Sequence, residues 1–129
     1  MDTNRYIRRC YELAIQAGKK GHDTFGALLV HNGKILEEAE NTADYQKGIF
    51  GHAEFNLVHQ CANQYSDQVF RESVLFTSCA PCERCLGAIP RWGFQRLFAA
   101  FHTGCFVSCC LLIMFRSTEK GCLRNWVFE

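Results

Sequence analysis

Two short stretches constrain this chain more than anything else in it: His52-Ala53-Glu54 and, further along, Pro81-Cys82-Glu83-Arg84-Cys85. If one imidazole and two thiols are to share an ion, the fold must carry residue 52 to the same point as residues 82 and 85. Zn²⁺ favours nitrogen and sulfur ligands, and a catalytic zinc keeps three protein ligands with a fourth position open to water. His52, Cys82 and Cys85 make up that count. Two thiolates cancel the charge of the ion, and such coordination brings the pKa of water close to ~7. Glu54 is then left over as a group able to take up a proton and pass it on.

The spacing supports this reading. Cys82 and Cys85 are three apart, so on a helix they share a face. Pro81 is tolerated in a first helical turn, where its missing N–H removes nothing. A helix N-terminus also favours the thiolate, as a metal does. His52 and Glu54, two apart, do not share a helical face, which places that motif where a loop turns into a helix.

Asp2 or Thr3 caps a first helix with Tyr6, Cys10, Leu13 and Ala17 at helical spacing, ended by Gly18 and Gly21. Phe25 to Val30 reads as a buried strand, Asn32-Gly33 as a hairpin turn, and Lys34 to Glu40 as the returning strand. A polar loop from Asn41 to Gly51 leads into a second helix, with Phe55, Val58, His59 and Ala62 on its apolar side, fraying near Asn63-Gln64. Ser73 to Thr77 is a short strand that feeds the cysteine pair and a third helix through Leu86, Ala88 and Ile89. Pro90 should distort the last turn of that helix, and Gly93 lies near its end. Arg96 to Phe101 is another buried strand, and Val107 to Phe115 is a further strand or a buried helix. The order predicts an α/β domain, residues 1–129, with a mixed sheet of about five strands between layers of helices. Both motifs enter helix starts at one end of that sheet, where such folds place ligands.

Composition narrows the function. With 129 residues and a formal net charge of +1, the chain has no strong nonspecific attraction for nucleic acid or membrane. Its start is polar and charged, unlike a signal peptide, and the apolar run Cys105 to Phe115 is too short and interrupted to span a bilayer. Nine cysteines without an export signal read as thiols in a reducing cytoplasm, two of them metal ligands.

With His52-Ala53-Glu54 stand Phe25-Gly26-Ala27, Asn41, Leu75-Phe76-Thr77-Ser78-Cys79-Ala80-Pro81-Cys82 and Cys85-Leu86-Gly87-Ala88-Ile89. On these residues the chain, from about residue 3 to about 103, resembles the cytidine deaminase-like superfamily, in the branch of guanine, cytosine and tRNA adenosine deaminases. The resemblance implies a three-layer α/β/α fold, one Zn²⁺ on His52, Cys82 and Cys85, and Glu54 as acid and base. It further implies Asn41 as a hydrogen-bond partner of the substrate ring, backbone amides near Ala53 and Cys82 lining the site, and a homodimer. Thr24 and Ala80 replace a Pro and a Glu common in relatives, and residues 104–129 depart from the usual closing segment of the family.

Bland readings stand beside these. A lone Cys-x-x-Cys serves equally as a structural zinc or redox pair; its order after a His-x-Glu, each at a junction into a helix, selects the catalytic reading. His22, His31, His59 and His102 read as surface or packing residues, and Cys10, Cys61, Cys79, Cys105, Cys109, Cys110 and Cys122 as thiols. Phe25, Tyr45, Phe50 and Trp92 are candidates to stack on a ring, though packing accounts for each as well. Three functions follow. The favoured one is hydrolytic deamination of a small free nucleobase or related amino-heterocycle such as guanine or cytosine. The second is tRNA adenosine deamination, for which Arg91, Arg96, Arg116, Lys120 and Arg124 are the available cations. The third is a structural zinc module, which would need a fourth ligand and has no use for Glu54.

Overall fold

The computed structural model describes residues 2–43, 50–91, 96–100, 111–115 and 126–128. Helix α1 spans Thr3–Lys19, and the Asp2 carboxylate caps it by accepting the Arg5 amide at 3.2 Å. Its buried stripe is Tyr6, Ile7, Cys10, Leu13, Ala14 and Ala17, which contains all four positions expected from spacing. Strands β1 (Gly26–His31) and β2 (Lys34–Glu40) form the hairpin. Asn32 and Gly33 both take positive φ, 49° and 74°, the turn whose twist matches that of the flanking strands.

Helix α2 (Ala53–Cys61), helix α3 (Asp67–Glu72) and strand β3 (Val74–Thr77) follow, then helix α4 (Glu83–Arg91) and strands β4 (Arg96–Ala99), β5 (Leu111–Phe115) and β6 (Trp126–Phe128). The sheet runs β2-β1-β3-β4-β5-β6. Strands β3 and β4 pair in parallel, and the other neighbours are antiparallel. A parallel pair needs a long crossover, and α4 lies in that connection, which puts its first turn beside the end of β3.

Side-chain alternation along the strands sorts the core into two layers. Leu28, Val30, Val74 and Phe76 face α1, where Phe76 lies between Tyr6 and Phe98 with ring centroids 5.0 and 5.2 Å away. Ala27, Leu29, Leu75, Leu97 and Ala99 face the other way, onto Leu57, Val58 and Cys61 of α2 and Ile89 of α4. Burying a Leu, Ile or Phe contributes about 1.5–3 kcal/mol, so these two layers fix the helices on either face of the sheet.

Several expectations change. The buried face of α2 is Ala53, Glu54, Leu57, Val58 and Cys61, whereas His59 is exposed and Phe55 and Ala62 are only half-buried. The cause is the apolar repeat Ala53, Leu57, Val58 and Cys61, which sets the buried face and carries Glu54, one turn before Val58, into the core with it. Helix α3 was not anticipated; Ser66 caps it by accepting the Val69 amide. Pro81 and Cys82 precede α4 rather than forming its first turn, and α4 continues through Pro90 to Arg91. The apolar run near the end is a strand over Leu111–Phe115, and β6 makes six strands where about five were expected. Tyr45, Trp92, Gly93, His102, Cys105, Cys109, Cys110, Arg116, Lys120, Cys122 and Arg124 lie outside the described residues. Among the described residues no helix is long and apolar enough to cross a membrane.

Candidate metal centre

His52 is the N-cap residue of α2, with extended backbone (φ −64°, ψ 146°) and no side-chain capping bond, so its ring is available to turn toward α4. His52 Nδ1 lies 3.3 Å from Cys82 Sγ and 3.6 Å from Cys85 Sγ, and the two sulfurs are 3.7 Å apart. Tetrahedral zinc, with Zn–N near 2.0–2.1 Å and Zn–S near 2.3 Å, requires N···S separations of roughly 3.5–3.6 Å and S···S of roughly 3.8 Å. The donor triangle therefore fits zinc, and among the described residues it holds three ligands, one fewer than a closed structural site.

The two thiols sit in different surroundings. Burial pushes the Cys82 thiol up, but the amides of Cys85 and Arg84 at the start of α4, the Cys85 thiol and the Arg84 side chain bring it below its ordinary value. That is the expected effect of a helix N-terminus on sulfur. Cys85, on the inner side of the first turn, is pushed up by burial and by the nearby Glu54 and Cys82. An ion would have to hold Cys85 as thiolate against that cost, as coordination does.

Glu54 is 5% exposed, and burial pushes its carboxyl above the usual carboxylate range. Thr77 Oγ1 lies 2.5 Å from Glu54 Oε1 and 2.9 Å from the Cys79 carbonyl oxygen. His52, Glu54 and Cys82 line a cavity of about 210 Å³ whose other walls are Phe25, Cys79, Ala80 and Pro81. That is smaller than the ~300–1,000 Å³ typical of drug-sized sites; it suits one flat ring system, and none of these lining residues is Lys or Arg.

Phe25 is one of the residues that line this cavity. Ala53 is fully buried in the first turn of α2, where backbone N–H groups lack helical partners. Asn41 is also fully buried, but behind the wall: its Nδ2 donates to the Asp23 carbonyl (3.3 Å), its Oδ1 accepts the Ala43 amide (3.0 Å), and its backbone N–H donates to the Phe25 carbonyl (3.0 Å). Each side-chain bond uses one of the two donors and one of the two acceptor sites of the amide.

Three supporting residues were not foreseen. Asn56 Nδ2 reaches the Glu40 and Gly51 carbonyls and Thr42 Oγ1, at 3.0, 3.1 and 2.9 Å, and Thr42 N–H donates to the Gly51 carbonyl at 2.7 Å. Together they close the base of the loop that delivers His52. Ser78 accepts the Gly26 amide at 3.1 Å and donates its own amide to the Gly26 carbonyl at 2.9 Å, tying the start of β1 to the chain after β3. Gly26 permits this because α1 crosses directly over it: a Cβ there would lie 2.4 Å from the Cys10 carbonyl oxygen. Thr77 is the third, signalled only by a hydroxyl in an otherwise apolar strand.

The chain matches, over residues 1–101, the family described as the cytidine and deoxycytidylate deaminase zinc-binding region. It is 30% identical over 106 residues to the guanine deaminase of Bacillus subtilis, covering 80% of this chain and 67% of that protein. It is also 30% identical over 80 residues to a chloroplastic tRNA(adenine(34)) deaminase of Arabidopsis thaliana, covering 59% of this chain and 6% of that much longer protein. The crystal structure of the Bacillus guanine deaminase superposes with a TM-score of 0.69 at 28% identity, over 79% of this chain and 66% of that one.

Proposed function

The chain belongs to the zinc-binding cytidine and deoxycytidylate deaminase family, and from that premise we propose that it hydrolyses the exocyclic amine from a small free nucleobase or related amino-heterocycle such as guanine or cytosine, releasing ammonia. The observation that carries this reading is the conjunction of a zinc-shaped donor triangle and a buried carboxyl in one small cavity with apolar walls. Among the described residues the cavity wall carries no Lys or Arg, which favours a bare ring over a nucleotide, whose phosphate calls for cationic or amide donors.

His52, Cys82 and Cys85 would hold the zinc, which when bound supplies a Lewis-acid centre with one open position. Glu54 takes a proton from the attacking water and passes it to the ring nitrogen beside the amine-bearing carbon; it then collects the second proton from the hydroxyl now on that carbon and delivers it to the departing amine, which leaves as ammonia. Its burial suits the task, because a carboxyl with a raised pKa holds a proton near neutral pH more readily than an exposed one. Phe25 covers one face of the ring and excludes water. The amides near Ala53 and Cys82 offer fixed dipoles at two helix starts, while Asn41, behind the wall, braces the Asp23 to Ala43 backbone that carries Phe25. We further propose a homodimer in the cytoplasm; among the described residues Cys10, Cys61 and Cys79 form no disulfide, in keeping with a reducing compartment.

A second reading, tRNA adenosine deamination, is favoured by one feature. The ring of Phe50, 60% exposed, stacks under the Arg84 guanidinium at 5.6 Å, and aromatic and cationic groups of this kind can bind unpaired bases. Ammonia release from free bases, nucleosides and tRNA, each with the zinc-loaded protein, separates the two. Turnover of a free base with tRNA silent is the expected result, and the reverse pattern would replace the first reading with the second.

A further inference from the structure

We propose that Thr77 is a positioning residue for proton transfer: its hydroxyl holds one oxygen of Glu54 against the sheet and so aims the other into the cavity. The proposal rests on the reading of Glu54 as the proton carrier. Thr77 is the last residue of β3 and is fully buried, on the sheet face that packs against α2. Its register partners are Ala27 on one side and Ala99 on the other, both fully buried. Two small residues flanking Thr77 leave room for the first turn of α2 to bring a carboxyl down onto the strand end.

The choice of residue is informative. A buried strand with the pattern Val74-Leu75-Phe76 would ordinarily continue with Val, which has the shape of Thr without the oxygen. A hydroxyl in that place must find partners, and it has two, Glu54 Oε1 at 2.5 Å and the Cys79 carbonyl at 2.9 Å. It has one proton to give. The proton is carried on the oxygen that faces the cavity, so Oε1 stays an acceptor and the hydroxyl donates to it throughout, with the Cys79 carbonyl fixing the rotation of Oγ1. The same two contacts thus hold Glu54 in place before and after the transfer.

Thr77 also borders the segment that leads to Cys82, so a purely structural role predicts loss of metal when the hydroxyl is removed, and a positioning role predicts loss of turnover with metal retained. The test uses the full zinc-loaded chain as wild type, Thr77→Val, Thr77→Ser, Thr77→Ala and Glu54→Gln, with the base identified by the ammonia screen. Thr77→Val should keep about one zinc per chain and a KM within about twofold, while kcat falls by about 10–100-fold, the scale of a misaimed group. Thr77→Ser should restore most of kcat. In infrared difference spectra, the carboxyl band assigned to Glu54 by its absence in Glu54→Gln should shift in Thr77→Val and return in Thr77→Ser. Should Thr77→Val fail to accumulate, Thr77→Ala must show the same fall in kcat and the same band shift. A hydroxyl-free variant with wild-type kcat and an unshifted band overturns the role of Thr77 alone if Glu54→Gln is inactive. Full activity in Glu54→Gln overturns both this role and the proton-carrier reading. Loss of zinc in Thr77→Val, unrepaired by Thr77→Ser, would also refute positioning.

Discussion

Replacing Gly26 by alanine adds one methyl group, and the structure gives its cost. The new Cβ would sit 2.4 Å from the Cys10 carbonyl oxygen, 2.6 Å from Leu13 Cβ and 2.9 Å from the Ala14 nitrogen. Comfortable contacts for carbon lie near 3.5–4.0 Å, so α1 would have to withdraw by about 1 Å. Two of the three atoms are backbone, which cannot swing aside as a side-chain tip can. The helix that must move buries six side chains, Tyr6 to Ala17, and Gly26 itself is bonded through both backbone groups to Ser78. Overpacking of this kind costs about 1–3 kcal/mol, and a clash against backbone belongs at the upper end. For a chain of this length that lowers Tm by roughly 10 °C, at about 3–5 °C per kcal/mol. Gly87→Ala is the control, since no atom lies within 4 Å of its Cβ position and it sits within α4; removing a helical glycine should stabilise by up to about 1 kcal/mol. Urea unfolding followed by circular dichroism reads both, with the midpoint moving and the slope unchanged. If Gly26→Ala unfolds within about 0.5 kcal/mol of wild type, or if both substitutions shift the midpoint in the same direction, the close approach of α1 to β1 is wrong.

Metal removal and Cys82→Ser should each abolish about one equivalent of zinc and lower Tm, because a ligand bound only by the folded chain stabilises it; elemental analysis showing full zinc in Cys82→Ser would remove that residue from the ligand set. Glu38, bonded through both oxygens to Arg9 at 2.8 Å, has its carboxyl held below the ordinary 4.5 chiefly by that guanidinium. A depressed folded pKa contributes stability that is complete above 4.5 and disappears as the pH falls through the lowered value. Glu38→Gln should therefore unfold about 0.5–1 kcal/mol more easily at pH 7, with the gap narrowing below pH 4.5, and a gap that widens in acid would reverse the assignment. Asn56→Ala frees the base of the loop before His52 and should weaken zinc retention in a competition with chelator; unchanged retention would reduce Asn56 to a surface contact.

The parts of the fold legible in sequence are those whose cause is local. The stripe of α1 repeats at helical period, and Asn32-Gly33 carries its own turn geometry. The donor triangle was legible for a different reason, since coordination demands particular atoms and a Cys-x-x-Cys supplies two at one helix start wherever it folds. Helix α3 failed on length: six residues show less than two turns of period, and only Ser66 before Asp67 marks its start. Strand β6, three residues paired with β5, carries no pattern long enough to read. Thr77, Ser78 and Asn56 were hidden because the partners that give them meaning, Glu54, Gly26 and Gly51, lie 23, 52 and 5 positions away, and a hydroxyl or amide has no meaning until the chain folds back.

Helix α2 shows how a functional group rides on a local pattern. The expected side, Phe55, Val58, His59 and Ala62, left out Leu57 and Cys61, and the sheet receives Ala53, Glu54, Leu57, Val58 and Cys61. Packing Leu57 and Cys61 one turn and two turns after Ala53 holds the helix at the angle that buries the carboxyl, and Thr77 meets it there with a hydroxyl. Burying a charge-bearing group costs several kcal/mol unless it is paired or protonated. A fold tolerates that cost here because the helix has Leu57, Val58 and Cys61 to anchor it. The proposed chemistry of Glu54 therefore depends on the same packing of Leu57, Val58 and Cys61 that fixes the helix on the sheet.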